Sequence, residues 1–355
     1  MDLTTIIKHQ ILGQEAYEIE ERTGRIKLDA NENPHLIPDG LKQKFLERLA
    51  EIELHRYPVP GSPELRRKFA EKLHVHESMV MIGNGSDELI FALVTAMRVS
   101  SSGGVVIPVP TFGMYRIASL NTGHRVMEVP LDDRFDLDVD AMMREISEDA
   151  PAMIFLSYPN NPTGNCFSPD RMEKILRSFP GIVVVDEAYY PFAERTFLSF
   201  LDEFRNLVIL RSLSKIGFAA LRLGILIADP VLVRELNKIR LPYNINSFSQ
   251  AAAAFYLEHE DDFQEQVEWI IKERQWLWEQ LQAILGIRPY RSDANFILFS
   301  CFKNKDSVYE KLVDHGIIIK NFGSSGLLRD CFRVTVGTES ENREFIDALK
   351  GALEQ

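Results

Sequence analysis

Residues 182–189 read Ile-Val-Val-Val-Asp-Glu-Ala-Tyr, and this stretch decides the fold. Ile182–Val185 is a run of β-branched residues without polar alternation, which is typical of a strand buried on both faces of a parallel sheet. Asp186 ends the run, and an acid at that point is costly unless it meets a cation or a metal ion, or caps a helix. The stretch therefore predicts a parallel sheet with a polar site at its edge.

Similar apolar runs lie on both sides of this stretch, separated by segments with helical periodicity. The predicted strands are Val105–Val109, Met153–Ser157, Ile182–Val185, Leu207–Leu210 and Leu223–Ala228. Helices are expected to begin at Ser62-Pro63, at Ser86 and at Ser168-Pro169, because apolar residues then recur at helical spacing. Non-alternating strands separated by amphipathic helices indicate an α/β domain with a mostly parallel sheet covered by helices.

The C-terminal third has a different pattern and predicts a smaller α+β domain. Its expected elements are a long helix from about Asp262 to Leu285, strands at Asn295–Ser300, Gly316–Lys320 and Cys331–Val336, and helices near Asp306–His315 and from Glu339. The first 45 residues lack strong periodicity. We therefore divide the chain into an N-terminal arm (1–45), a large domain (46–245) and a small C-terminal domain (246–355), with a ligand cleft expected between the two domains.

The composition excludes several classes of protein. The 355 residues carry a formal net charge of −12, which disfavours nucleic acid or an anionic lipid surface as the main partner. No basic segment precedes an apolar run at the N-terminus, and no apolar stretch is long enough to span a membrane, so we expect a cytoplasmic protein. Cys166, Cys301 and Cys331 are widely spaced and form no pattern typical of a metal site.

The most informative single residue is Lys215, which follows the predicted strand Leu207–Leu210. A lone lysine in a loop is usually a solvated surface charge. Here Ser212 and Ser214 closely precede the lysine, and Arg222 follows seven positions later. Hydroxyl groups and a guanidinium beside a lysine are well suited to binding a phosphate.

Four further polar or aromatic groups follow other apolar runs, the first of which is Val80–Ile82. Gly85-Ser86-Asp87 opens a helix, where backbone N–H groups can bind an anion. Phe112 follows a strand and offers a ring for stacking, Asn161 lies in a proline-rich turn and offers an amide donor, and Asp186 can face a protonated ring nitrogen. Each of these features taken alone is also typical of an ordinary turn or helix cap. As a set at strand ends, they match the needs of pyridoxal phosphate: a bound phosphate, a stacked ring, a protonated ring nitrogen and a lysine amine.

The chain resembles the fold-type I pyridoxal-phosphate aminotransferases, and among them the histidinol-phosphate aminotransferase family. The resemblance runs from Leu28–Pro34 through His55–Pro58 and Asn160–Gly164 to Phe332–Thr338. It implies a seven-stranded, mostly parallel sheet, an arm that packs on the small domain and on a dimer partner, and active sites shared in a homodimer. The implied activity is transamination of histidinol phosphate and imidazole acetol phosphate with glutamate and 2-oxoglutarate in histidine biosynthesis.

The resemblance also implies a role for each matching residue. Lys215 would bond covalently to the cofactor and move the proton, Asp186 would pair with the ring nitrogen, and Tyr189 with Asn161 would hold the ring hydroxyl. Phe112 would stack on the ring. The residues expected to bind the phosphate are Gly85, Ser86, Asp87, Ser212, Ser214 and Arg222, together with Tyr57 of the partner subunit.

Substrate binding is implied for Arg333, which matches the arginine that binds the amino donor's carboxylate, and for Asn161. It is also implied for Tyr17, which would cover the pocket from the partner subunit. Lys320 stands thirteen positions before Arg333, where many family members carry a second arginine, and it keeps the charge without the planar fork. The spacing from Lys215 to Arg222 is one residue shorter than is usual in the family. The loop between them must therefore close more tightly, or another group must neutralise part of the phosphate charge.

Other functions remain open at this point. An aromatic amino acid aminotransferase would use the same chemistry, and a decarboxylase or lyase acting on a phosphorylated amino acid would use the same cofactor. A cofactor-binding regulator without catalysis would need a basic DNA-binding module. The N-terminal arm of 45 residues contains no pair of basic helices that could form one, so this function is disfavoured. A metal enzyme built on Asp186 and Glu187 is disfavoured because the eight histidines form no HxxxH pattern.

Overall fold

A computed structural model describes residues 3–14, 24–99, 103–149, 151–323 and 326–354. Tyr17, a predicted substrate residue, lies outside the described residues. None of the helices within these ranges is both long enough and apolar enough to span a membrane.

The larger of two sheets has seven strands in the order β2-β8-β7-β6-β5-β3-β4. These strands are β2 (Val80–Asn84), β3 (Gly104–Val109), β4 (Arg125–Pro130), β5 (Met153–Ser157), β6 (Ile182–Asp186), β7 (Leu207–Ser212) and β8 (Leu223–Ala228). Only β8 runs opposite to the others, being antiparallel to both β2 and β7. The prediction of a mostly parallel sheet is confirmed.

Both faces of this sheet are buried, which explains why its strands are uninterrupted apolar runs. Val183 and Val185 pack into one hydrophobic cluster and Val184 packs into the cluster on the opposite face. All three side chains are fully buried, and each contributes about 1.5–3 kcal/mol of transfer free energy. The alternation between faces leaves no position in the strand interior for a polar residue.

Helices cover the faces of the large sheet, and the predicted starts at residues 62–63, 86 and 168–169 agree with three of them. These helices and their neighbours are α1 (His9–Leu12), α2 (Asp39–Ala50), α3 (Pro63–Leu73), α4 (Gly85–Ala96), α5 (Met114–Thr122), α6 (Val139–Asp149), α7 (Pro169–Ser178), α8 (Tyr190–Ala193) and α9 (Pro230–Leu236). The sequence patterns do not predict α5, α6 or the edge strand β4. In β4, buried and exposed residues alternate, whereas the predicted strands were recognised by continuous apolar runs.

The smaller sheet has five strands in the order β1-β11-β12-β10-β9. They are β1 (Ile26–Leu28), β9 (Ile287–Pro289), β10 (Phe296–Cys301), β11 (Ile317–Asn321) and β12 (Cys331–Thr335), and the helices of this region are α10 (Ser247–Glu258), α11 (Glu260–Gln282), α12 (Lys305–Asp314) and α13 (Glu339–Glu354). The predicted strands and helices of the C-terminal third agree with these bounds to within a few residues. The pattern does not predict α10, whose Ala-rich sequence lacks a single polar face.

Strand β1 connects the N-terminal segment to the smaller sheet. It pairs in parallel with β11 through Ile26–Leu28 and Ile317–Ile319. The proposed arm boundary at residue 45 falls inside α2, and the boundary at residue 245 falls just before α10. The segment that follows β1, residues 29–32, reaches the carboxyl edge of the large sheet and lines the cavity formed there.

Candidate active site

A cavity of about 610 Å³ lies at the carboxyl ends of the parallel strands, between the two sheets. Ligands of open α/β sheets bind at this edge because the loops that follow the parallel strands converge there. The predicted site residues that line the cavity are Ser86, Asp87, Phe112, Asn161, Asp186, Tyr189, Ser212, Ser214, Lys215, Arg222, Lys320 and Arg333. The structure therefore brings together residues from six strand ends.

Lys215 lies in a 3-10 turn, Ser214–Ile216, two residues after β7 ends. The turn ends at Gly217, whose φ of 107° is accessible to glycine and strained for other residues. The Lys215 Nζ lies 5.7 Å from the centroid of the Tyr189 ring. The amine thus lies in the cavity beside Tyr189, which is predicted to hold the cofactor's ring hydroxyl.

Asp186 ends β6 and is almost completely buried at the cavity wall. Its Oδ2 accepts a hydrogen bond of 2.7 Å from the Tyr115 hydroxyl, and its Oδ1 accepts one of 3.0 Å from the Ala188 N–H. Burial raises the pKa of this carboxyl to about 6, and both hydrogen bonds oppose the shift. A buried carboxylate at a cavity wall fits a cationic group on the ligand, such as a protonated ring nitrogen.

A cluster of polar groups at one end of the cavity fits a phosphate. The Arg222 Nη1 donates to Ser214 Oγ at 3.4 Å, and its Nη2 lies 3.0 Å from Asp87 Oδ2. Arg222 directly precedes β8. Because β8 runs opposite to its neighbours, its first residues lie at the carboxyl ends of those strands, and Arg222 lies there too. Ser212 Oγ accepts from the Ser214 N–H at 3.1 Å and orders the same loop.

The start of α4 forms the opposite wall of this cluster. A Cβ added to Gly85 would lie 2.7 Å from Arg222 Nη2, and a Cβ added to Gly224 would lie 2.5 Å from the Gly85 carbonyl carbon. The backbone of β8 thus approaches the helix start as closely as glycine permits. Gly85 adjoins the cavity residues Ser86 and Asp87, so the helix N–H groups and the Arg222 guanidinium are available to one anion.

The short spacing between Lys215 and Arg222 is accommodated by tight turns. A second 3-10 turn, Ala219–Leu221, follows Gly217, and Arg222 has a left-handed conformation with φ of 51°. The loop closes tightly enough for Arg222 to reach Ser214, as the first of the two expected solutions requires. Asp87 also pairs with the guanidinium, so the cluster holds an acid beside the arginine.

Two cations from the smaller sheet face the cavity from the opposite side. Lys320 on β11 is paired directly with Arg333 on β12. Arg333 is buried and donates from Nη2 to the Asp29 carbonyl oxygen at 2.6 Å and from Nη1 to Asn161 Oδ1. Lys320 is exposed at the cavity wall. Neighbouring strands therefore place two positive charges at one wall of the cavity.

Tyr57 does not line this cavity. Its side chain is 80% exposed and its ring stacks on that of Tyr243, with centroids 4.6 Å apart. Within one chain, the structure thus leaves Tyr57 outside the cluster that includes Arg222 and Ser214.

The sequence patterns do not predict two residues that donate hydrogen bonds to the predicted site residues. Tyr115 donates to Asp186, and Asn31 donates from Nδ2 to the Tyr189 hydroxyl at 2.8 Å. Tyr115 lies only three positions after Phe112, but a tyrosine at helical spacing is usually a core residue. The one signal that could have indicated its role is the hydroxyl itself, because a buried tyrosine hydroxyl needs a hydrogen-bond partner.

Glu187 points away from Asp186 into a second cavity of about 360 Å³. Its carboxylate accepts from Arg211 at 3.0 and 3.1 Å, from the Thr196 hydroxyl and from the Phe197 N–H. The Glu187 carboxylate thus forms an ion pair with Arg211 and does not form a shared acidic site with Asp186. In the part of the chain that the structure describes, no group of three histidine, cysteine or acidic residues is arranged to hold a metal ion.

Comparison with known proteins places these features in context. The family model for class I and II aminotransferases matches residues 23–349. The chain is 44% identical over 347 residues to histidinol-phosphate aminotransferase 2 of Nitrosococcus oceani, covering 97% of this chain and 96% of the relative. It is 38% identical over 349 residues to histidinol-phosphate aminotransferase of Aquifex aeolicus, covering 98% of each.

Among solved structures, histidinol-phosphate aminotransferase from Sinorhizobium meliloti in complex with pyridoxal 5'-phosphate gives a TM-score of 0.88. The match covers 98% of this chain and 97% of that chain at 22% sequence identity. At that identity the likeness concerns the fold. It agrees with the fold-type I architecture predicted from the sequence.

Proposed function

The chain belongs to the class I and II aminotransferase family. Because its full-length relatives include histidinol-phosphate aminotransferases, we propose that it transfers the amino group between histidinol phosphate and 2-oxoglutarate. The products are imidazole acetol phosphate and glutamate, and the reverse direction serves histidine biosynthesis. One observation carries the proposal: one cavity is lined by Lys215 and Asp186 from the large sheet and by the Lys320–Arg333 pair from the smaller sheet. This arrangement provides an amine for chemistry and two cations for an anionic substrate.

The cofactor is pyridoxal 5'-phosphate, which, when bound, supplies an electron-withdrawing ring that stabilises negative charge at the substrate Cα. The buried Asp186 carboxylate would keep the ring nitrogen protonated. Lys215 Nζ would hold the cofactor covalently, and as a free amine it would move a proton at the substrate Cα.

Two donors hold the ring hydroxyl oxygen in this proposal. The Tyr189 hydroxyl already accepts a hydrogen bond from Asn31, so its own proton is available to donate into the cavity. Asn161 uses its Oδ1 to accept from Arg333, which leaves its Nδ2 as the donor. Both side chains are oriented by these contacts before the ligand arrives, and such preorganisation avoids reorganisation during the reaction.

The phosphate is bound by Arg222, by the Ser212 and Ser214 hydroxyls, and by the helix start formed by Gly85, Ser86 and Asp87. Phe112 stacks on the ring. Charge-assisted contacts from a guanidinium and from helix N–H groups are the strongest contacts available to a phosphate. By holding the phosphate, this cluster would orient the cofactor toward Lys215.

Substrate recognition is assigned to Arg333 and Lys320. The Arg333 guanidinium is held by Asp29 and Asn161 and binds the carboxylate of glutamate through its planar fork. The same two cations bind the phosphate of histidinol phosphate in the other half of the reaction. The shared pocket explains how one site accepts two substrates that have in common an amino group and an anionic end.

We further propose a homodimer in which Tyr57 reaches the partner's cofactor phosphate and Tyr17 covers the partner's substrate pocket. Support comes from exposed apolar side chains around Tyr57 in chain and space, namely Leu54, Val59, Leu241 and Tyr243, because such a patch marks an interaction surface. The division into arm, large domain and small domain, like the cytoplasmic location, stays a prediction.

The experiment that tests the function is a comparison of substrates with purified enzyme. With 2-oxoglutarate as acceptor, kcat/KM for histidinol phosphate is expected to exceed that for phenylalanine. A preference for phenylalanine would identify an aromatic amino acid aminotransferase, and release of CO₂ from a phosphorylated amino acid without glutamate formation would identify a decarboxylase. The Lys215→Ala variant should be inactive, while Lys238→Ala, at an exposed lysine paired with Glu235, should retain full activity.

A further inference from the structure

Tyr115 lies beneath the cofactor end of the cavity and connects two of its walls. The residue is in the first turn of α5 and is fully buried. Its ring stacks on Phe155, with centroids 4.7 Å apart, and meets the Phe112 ring edge-on at 5.5 Å. Phe112 is the proposed stacking ring for the cofactor, so Tyr115 supports that ring from behind.

The hydroxyl of Tyr115 is directed at Asp186. It donates to Oδ2 at 2.7 Å, while the Ala188 N–H donates to Oδ1 at 3.0 Å. Each carboxylate oxygen thus has one donor, which fixes the plane of the carboxylate and leaves its remaining lone pairs for the ligand. Asp87 on α4 and Glu187 on the same strand end lie near enough to oppose ionisation of Asp186, and Lys215 lines the same cavity.

We propose that Tyr115 is a positioning residue that holds Asp186 in its ionised form and in the orientation that faces the cofactor's ring nitrogen. This inference rests on the proposed function, because it requires pyridoxal phosphate as the ligand. A side-chain substitution cannot remove the backbone N–H of Ala188. The Tyr115 hydroxyl is therefore the donor to Asp186 that mutation can remove.

Asp186 and the ring nitrogen share a proton that can be on either atom. Donation from Tyr115 stabilises the carboxylate and therefore favours the proton on the nitrogen, which is the form that withdraws electrons. A hydrogen bond to a charged acceptor, when lost, changes such an equilibrium by about 10- to 100-fold. Without it, the proton moves toward Asp186 although every other contact of the ring is kept.

The test uses holoenzyme reconstituted with pyridoxal phosphate that carries ¹⁵N in the ring, and the readout is the ¹⁵N chemical shift at pH 7.5. Tyr115→Phe removes the hydroxyl and keeps the stacked ring. Tyr256→Phe is the matched control, because Tyr256 is also buried and donates to a carboxylate, that of Glu260 at 3.1 Å, away from the cavity. Thermal unfolding of each variant reports whether the fold is intact.

The wild-type and Tyr256→Phe enzymes are expected to show a pyridinium shift, whereas Tyr115→Phe should move toward the neutral pyridine value and lose about 10- to 100-fold in kcat. In an Asp186→Asn background, Tyr115→Phe should change the shift no further, since it acts through the carboxylate. A Tyr115→Phe holoenzyme with an unchanged pyridinium shift would overturn the inference while leaving the proposed function intact. A wild-type protein that binds no pyridoxal phosphate would overturn both.

Discussion

Replacing Asp186 by asparagine is expected to stabilise the cofactor-free protein at pH 8, although it removes most of the activity. Burial raises the pKa of this carboxyl from 3.8 to about 6, despite the hydrogen bonds from Tyr115 and Ala188. Because the pKa is higher in the folded state, the group's contribution to stability is complete below about pH 4 and is lost as the pH rises through 6. A difference of about 2 pKa units corresponds to about 3 kcal/mol of unfolding free energy lost at pH 8.

Asparagine cannot ionise, so the variant avoids this loss. Its single carbonyl oxygen replaces two acceptors, however, and one of the two donors loses its bond at a cost of about 1 kcal/mol. The net gain at pH 8 is therefore about 2 kcal/mol. At pH 4.5 the wild-type loss is itself only about 1 kcal/mol, so the gain should vanish there.

The assay is urea unfolding of the cofactor-free protein at pH 8 and at pH 4.5, followed by circular dichroism. Asp229→Asn is the control of opposite sign, because the hydrogen bond from Arg205 lowers the pKa of the Asp229 carboxyl in the folded state. That variant should lose stability at pH 8. If Asp186→Asn gave no gain at pH 8, or an equal gain at both pH values, burial of the charge would not be the dominant energy at this position.

Three further predictions concern the phosphate cluster, the substrate wall and the second cavity. Arg222→Ala should weaken binding of pyridoxal phosphate about 10- to 100-fold in a fluorescence titration, and unchanged affinity would exclude Arg222 from the phosphate site. Lys320→Arg should lower the KM for histidinol phosphate about 3- to 10-fold by providing a planar fork beside Arg333, with phenylalanine kinetics as the control; an unchanged KM would mean that this residue does not contact the phosphate. Glu187→Gln should cost about 3 kcal/mol of unfolding free energy, because it leaves the largely buried Arg211 guanidinium, 13% exposed, without its fully buried counter-ion. A urea midpoint equal to that of wild type would show that this pair contributes nothing.

The residues at the strand ends could be predicted because their positions follow from the sheet itself. Asp186 and Lys215 each follow a continuous apolar run, and parallel strands bring such ends to one edge. The edge strand β4 could not be recognised in the same way, since its buried and exposed residues alternate. The pairing of β1 with β11 joins segments almost 300 residues apart, and nothing local in either segment specifies the other.

The residues that support the site are harder to predict than the residues that form it. In the sequence, Tyr115 has the pattern of an ordinary aromatic core residue. Its polar role is evident only from the hydrogen bond that its hydroxyl donates to Asp186. Asn31 belongs to a segment that resembles a family motif, yet its contact with Tyr189 depends on how the N-terminal segment crosses the large sheet. In both cases the partner lies far away in sequence, so spacing carries no information about it.

The central claim is that the amine of Lys215 bonds covalently to pyridoxal phosphate. Borohydride reduction of the holoenzyme, followed by proteolysis and mass spectrometry, tests it most directly. The account predicts one pyridoxyl-phosphate label per chain, located on Lys215, and no label after glutamate has first displaced the lysine. A label on another lysine, or none in the absence of glutamate, would contradict it.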